Sequence, residues 1–363
     1  MKNQQNTWQR FVRTTVACST FALLAACGGG TSGDSSTQIP AGNIRLQVVT
    51  FGDSLSDAGT YAVTSTSTAG PLALGGGRFT TNPGQVWTQN VAQYYGDTLT
   101  PAFKGGFGVP LSAAGGLDYA QGAATVNTSG STTGVGMTAE PVTWQVSAYL
   151  QTHGSFNSNQ LVLIEAGAND VLGNAQALAA GQITQAVARQ NITTAAIALA
   201  HVVGQILQAG ATKVVVANLP NIGMTPLGVS SADGGTGLTQ LSAGFNTALK
   251  AALTQGGIDQ KVIQLDVFSW ITNLAAHYQA NGFKVGATGT ACNLTKMVTS
   301  AQQAGVPNPA SYGTSLLCAP DSYTEQNADQ TYMFADQIHP TTRTHQLFAQ
   351  FVQQQIAAHG IGK

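Results

Sequence analysis

The sequence predicts an α/β fold on a parallel central sheet, and three observations carry that prediction. Short apolar runs, of the length of buried strands, alternate with longer stretches of helical spacing. Hydrophobic residues make up 43% of the 363-residue chain, enough for a core and too many for a disordered polypeptide. No internal repeat and no linker divides the body, so one domain over residues 44–363 is expected.

In chain order, residues 46–51 read as a first strand rich in β-branched side chains. Residues 86–95 and 143–151 have helical spacing, and 160–166 form a second buried strand. A long helix over 183–209 stops at Gly210, and a third strand over 213–219 stops at Pro220. Residues 238–253 are helical, 261–265 a fourth strand, 267–281 a further helix and 341–358 the last. Residues 60–81 and 123–138 read as loops rich in Gly, Ser and Thr. Residues 282–330 read as a long excursion with little apolar periodicity and little core of its own. Loops of such length are uncommon in compact domains and often functional.

Composition narrows the setting. Only 8% of residues are charged, against about 25% in a typical soluble domain, which favours an exported protein. Lys+Arg 14 against Asp+Glu 15 gives a net charge of -1 and no basic face for phosphates, which argues against nucleic acid as a partner. At the N-terminus, Lys2, Arg10 and Arg13 precede an apolar stretch over 14–26, shorter than the ~20 residues of a spanning helix. Residues 1–26 are therefore expected to be a secretory signal. Its end, Leu24-Ala25-Ala26-Cys27, resembles the bacterial lipoprotein box, with Cys27 lipidated and residues 27–43 a flexible tether to the outer membrane or cell surface. The alternative is an ordinary signal cleaved near Ala26, giving a periplasmic or secreted protein. The body then keeps Cys292 and Cys318, an even pair in an oxidising compartment, expected to form one disulfide.

The chemistry begins where the first strand ends. Gly52-Asp53-Ser54-Leu55 places Ser54 on a sharp strand-to-helix turn at the carboxyl edge of the sheet, where open α/β sheets bind ligands. Such a turn is also a common way to cap a helix. A serine nucleophile needs a base and a group that orients the base, and Asp336-Gln337-Ile338-His339 offers both within one turn. A developing oxyanion needs neutral donors. Gly122 can present a backbone N–H and Asn169 a side-chain amide. The remaining conspicuous residues have plainer readings: His201 and His277 are structural, His345 packs or caps, Asp53 and Asp57 hold turns, Gly75-Gly76-Gly77 is loop, and Trp87 and Trp144 are core.

Taken together, these blocks resemble the GDSL, or SGNH, family of lipases and esterases. Ser54, Gly122, Asn169 and the Asp336/His339 pair fall in the family's order, and Gly77-Arg78-Phe79-Thr80, the strand ending in Leu219-Pro220 and His339-Pro340-Thr341 extend the match over roughly residues 48–352. One departure is Gly122-Ala123, where many members have two glycines. No G-x-S-x-G is present, which disfavours the other large serine-hydrolase fold. The resemblance implies a flavodoxin-like, three-layer SGNH hydrolase fold. It implies a carboxylic ester hydrolase working through an acyl-Ser54 intermediate, with His339 as base, Asp336 orienting it, and the N–H groups of Ser54 and Gly122 with the Asn169 amide as oxyanion hole. It implies neither a metal nor an organic cofactor. An acyltransferase, with a lipid alcohol in place of water, and a non-catalytic binding lipoprotein are the alternatives.

Overall fold

The structure, a computed structural model, describes residues 39–64, 70–128, 131–133, 137–306 and 308–363. The expected signal over 1–26, Cys27 and most of the expected tether lie outside the described residues. In chain order the elements are β1 (Gln47–Gly52), α1 (Trp87–Tyr94), β2 (Phe103–Gly106), β3 (Val109–Ala113), β4 (Ser131–Thr133), β5 (Met137–Ala139), α2 (Val142–His153) and β6 (Gln160–Glu165). There follow α3 (Ala168–Ala179), α4 (Gln185–Gln208), β7 (Val214–Ala217), α5 (Pro226–Val229), α6 (Thr236–Gln255), β8 (Ile263–Leu265), α7 (Val267–Ala276), α8 (Leu294–Gln303), α9 (Ala328–Thr331) and α10 (Thr342–Ala358).

Four parallel strands form the central sheet in the order β1-β6-β7-β8. A fifth position is filled outside β1, where the Thr50 N–H donates to Leu117 O and the Tyr119 N–H donates to Thr50 O. With that short segment counted, strand positions run 2-1-3-4-5 in chain order, the flavodoxin-like arrangement.

Strand periodicity explains the three layers. Successive side chains point to opposite faces. Val48, Leu161, Leu163, Val215 and Ala217 therefore meet α1, α7 and α10 through Trp87, Val267 and Phe348. Val49, Phe51, Val162, Ile164, Val214 and Val216 meet α2, α4 and α6 through Tyr149, Leu199 and Phe245. With both faces covered, the strands read as continuous apolar runs, as parallel strands do. Each fully buried Val, Leu, Ile or Phe contributes about 1.5–3 kcal/mol relative to exposure.

The chain enters and leaves this body at one place. The Gly42 N–H donates to Tyr94 O at the end of α1, and the Lys363 N–H donates to Gly42 O, both near 3 Å.

Several expectations need correction. Helix α3 lacks the apolar stripe that sequence reading looks for, since of its twelve residues only Val171 is buried. The ribbons β2–β3 and β4–β5 lie where no strand or only loop is expected. Helix α7 ends at Ala276, earlier than 281. The turn at Ser54 does not lead into a helix; the next α-helix is α1, whose Trp87 and Thr88 side chains bond back to Ser56. The excursion over 282–330 does have a core, in which Met297, Ala301, Tyr312, Leu316 and Leu317 pack with Tyr61 and Phe79 around the Cys292–Cys318 disulfide.

Candidate active site

Ser54 sits at the carboxyl end of β1, held by bonds to its neighbours. The Gly52 N–H donates to Gln145 Oε1, and Gln145 Nε2 donates to Gly52 O, both at 2.9 Å. A Cβ on Gly52 would stand 2.3 Å from Glu165 O, so only glycine lets β1 and β6 close here. Beyond it the Leu55 N–H donates to Asp53 Oδ1 (3.1 Å) and the Ser56 N–H to Asp53 O (3.1 Å), which folds the chain around Ser54.

The loop before α10 supplies the base. His339 Nε2 lies 2.8 Å from Ser54 Oγ, and His339 Nδ1 lies 2.8 Å from Asp336 Oδ2. With a carboxylate at Nδ1, that nitrogen carries the proton and bare Nε2 accepts from the Ser54 hydroxyl. Asp336 is itself saturated: the N–H groups of Ile338 and His339 donate to Oδ1 at 2.9 and 2.8 Å, and the Ser315 N–H donates to Oδ2 at 2.7 Å. Burial alone would raise the Asp336 carboxyl, but the His339 imidazole and the N–H groups of Ile338 and His339 hold it well below the usual carboxylate range. It is an anion throughout the working range. The Phe79 ring lies against the imidazole, with ring centroids 5.1 Å apart.

The expected oxyanion donors divide. Among the described residues the Ser54 N–H has no acceptor. Asn169 Nδ2 gives one hydrogen to Ala124 O at 2.9 Å, which leaves the other. Gly167, at φ +114 before α3, aims that asparagine, and any Cβ there would run into the Phe245 ring. Gly122 departs from expectation, because its N–H donates to Asp57 Oδ2 at 2.9 Å. Asp57 also accepts from Gly59 and Thr60, so it holds two loops together and has drawn the Gly122 N–H away. The next residue, Ala123, has the left-handed φ of +71, and its N–H has no acceptor among the described residues. A non-glycine residue in that region costs about 1–3 kcal/mol and tends to mark a functional turn.

His345 both packs and caps. It is buried, and its Nδ1 accepts the Trp87 N–H at 3.2 Å. Burial, with the charge of His339 adding, pushes its pKa down to about 3, so it is neutral. The Ser315 N–H, the Gln145 clamp and Phe79 against the imidazole complete the site, and none is among the residues expected to act in it. Among the described residues no three His, Cys, Asp or Glu side chains are grouped to hold a metal ion, and no helix is long and apolar enough to cross a membrane.

A family model described as GDSL-like Lipase/Acylhydrolase matches residues 48–352. No curated protein matches the chain.

Proposed function

This chain belongs to the GDSL-like lipase and acylhydrolase family, and we propose that it is a serine esterase working through an acyl-Ser54 intermediate. The observation that carries the reading is the continuous relay Ser54 Oγ, His339, Asp336, with both links at 2.8 Å. Ser54 Oγ attacks the ester carbonyl carbon while its proton passes to His339 Nε2. Asp336, already charged and fully bonded, stabilises the imidazolium without taking a proton. The oxyanion lies against the N–H groups of Ser54 and Ala123 and the second amide hydrogen of Asn169, with Ala123 taking the place first assigned to Gly122. His339 then protonates the leaving alcohol, and water releases the acyl group by the same steps in reverse.

Next to the relay is a narrow apolar cavity of about 50 Å³ lined by Leu55, Trp270, Phe334, Ile338 and Phe348. That exceeds the roughly 10–15 Å³ of space one water needs and is small enough to favour short acyl chains. A p-nitrophenyl ester series tests both parts of the reading. The expected order puts acetate and butyrate ahead of laurate, with one equivalent of fluorophosphonate labelling Ser54. No ester turnover and no label would overturn it. Adding a lipid alcohol distinguishes water from alcohol as acceptor.

Export and anchoring belong to the same proposal and rest on the residues around Cys27. Labelled palmitate fed to a bacterial host should enter the protein, and Cys27→Ser should abolish the label and free the enzyme from membranes. Wild-type protein without lipid would establish the ordinary signal instead.

A further inference from the structure

Glu165 ends β6 in register with Gly52, the residue before Asp53. Asp53 and Glu165 are both buried beside Ser54, and their carboxyls lie close enough to act on each other. If both were ionised, neither Glu165 oxygen nor Asp53 Oδ2 would have a donor among the described residues. Two unpaired carboxylates in a dry interior repel and lose their hydration. A single proton between them removes both penalties.

We propose that Glu165 is a positioning residue held as a neutral carboxylic acid, which donates to Asp53 Oδ2 so that the pair carries one negative charge and locks the turn around Ser54. Asp53 is the right target, because its other oxygen binds the Leu55 N–H across Ser54. Fixing the Asp53 carboxyl thus fixes the backbone on both sides of the nucleophile. The inference rests on the esterase reading for its catalytic meaning, while the protonation state stands on the buried geometry.

The charged groups facing the pair agree. Burial pushes Asp53 up to about 6, against the Leu55 N–H and His339, with Asp170 adding to the rise. Burial and the Asp53 charge push Glu165 well above the carboxylate range. At neutral pH the pair therefore holds one proton. In alkali that proton leaves, a second negative charge appears beside the first, and the turn loosens.

The test uses the whole protein. In wild type labelled with ¹³C at glutamate carboxyls, the resonance absent from Glu165→Gln should have the shift of a protonated acid at pH 7. An ionised shift there would overturn the proposal, whatever the activity. In kinetics, Glu165→Gln keeps a donor and cannot ionise. It should retain kcat within about threefold at pH 7 and lack the alkaline fall in kcat expected of wild type. Glu165→Ala should lower kcat at least tenfold with little change in KM. Superimposable wild-type and Glu165→Gln pH profiles would also overturn it. Fluorophosphonate labelling of Ser54 in wild type keeps failure of the esterase reading separate from failure of this one.

Discussion

The two halves of the relay are held by different kinds of structure. Ser54 leans on the sheet, through β1, the Gln145 clamp and the close approach of β6, all inside the main core. Asp336 and His339 lean on the excursion, through a satellite core, a disulfide and hydrogen bonds across the chain. The Cys292 N–H donates to Ala335 O at 3.0 Å, and the Ser315 N–H donates to Asp336. The support of Ser54 is therefore expected to open last, with the main core, and the support of His339 to open locally before it. The proposed mechanism needs both, so the weaker half should set the temperature at which activity ends.

The largest expected effect breaks the sheet-held half by chemistry alone. Ser54→Ala should lower kcat by about 10⁴ or more with an unchanged circular dichroism spectrum, as loss of a triad member does. Retention of a tenth of the activity would exclude Ser54 as nucleophile. Asn169→Ala removes one oxyanion donor and should cost about 10²–10³ in kcat, with KM nearly constant.

The excursion-held half is tested by removing its covalent brace. In the chain-entropy view, a disulfide spanning 26 residues stabilises by at most about 3.5 kcal/mol. The double Cys292→Ser, Cys318→Ser variant should keep its spectrum and its global melt while losing activity at lower temperature than the parent. Activity and spectrum melting together in the variant would show the two halves to be one cooperative unit.

The smallest effect is a pH trend in stability. Burial raises Asp53 and Asp170 to about 6, and raises Asp118 and Glu165 well above the usual carboxylate range. A raised carboxyl binds its proton more tightly in the folded state than in the unfolded state, whose carboxyls titrate near 4. Its stabilisation is complete below about pH 4 and is lost as pH rises through 6 and beyond. Asp336 has the opposite sign, and its contribution is lost only in strong acid. The melting temperature should therefore be several degrees higher at pH 5 than at pH 8. A melt that is flat or rises over that interval would contradict the buried-acid assignments.

The division also separates what the sequence shows from what it conceals. The strands are legible because β-branched runs declare themselves. The relay is legible because Asp336 and His339 lie three residues apart and Ser54 follows a glycine turn. The Ser315 contribution is concealed, since a backbone N–H has no side-chain signature and reaches Asp336 across 21 positions. Glu165 hides in a run that reads as buried strand, and Gln145 hides on the inner face of α2. The Asp57 partner of the Gly122 N–H is concealed too, a contact between residues 65 positions apart. Helix α3 escapes because it packs through so little of its surface.

The meeting of Gly42 and Lys363 has a practical corollary. Both lie where β1 begins, while Ser54 follows where β1 ends, about 20 Å away at ~3.3 Å per residue. A bead, a dye or a fusion partner attached at either end would leave the mouth of the site uncovered. In a chain trimmed to residues 42–363, a short peptide bridging Gly42 and Lys363 would close a ring, so that fresh termini could be cut into a surface loop without disturbing the edge that carries Ser54.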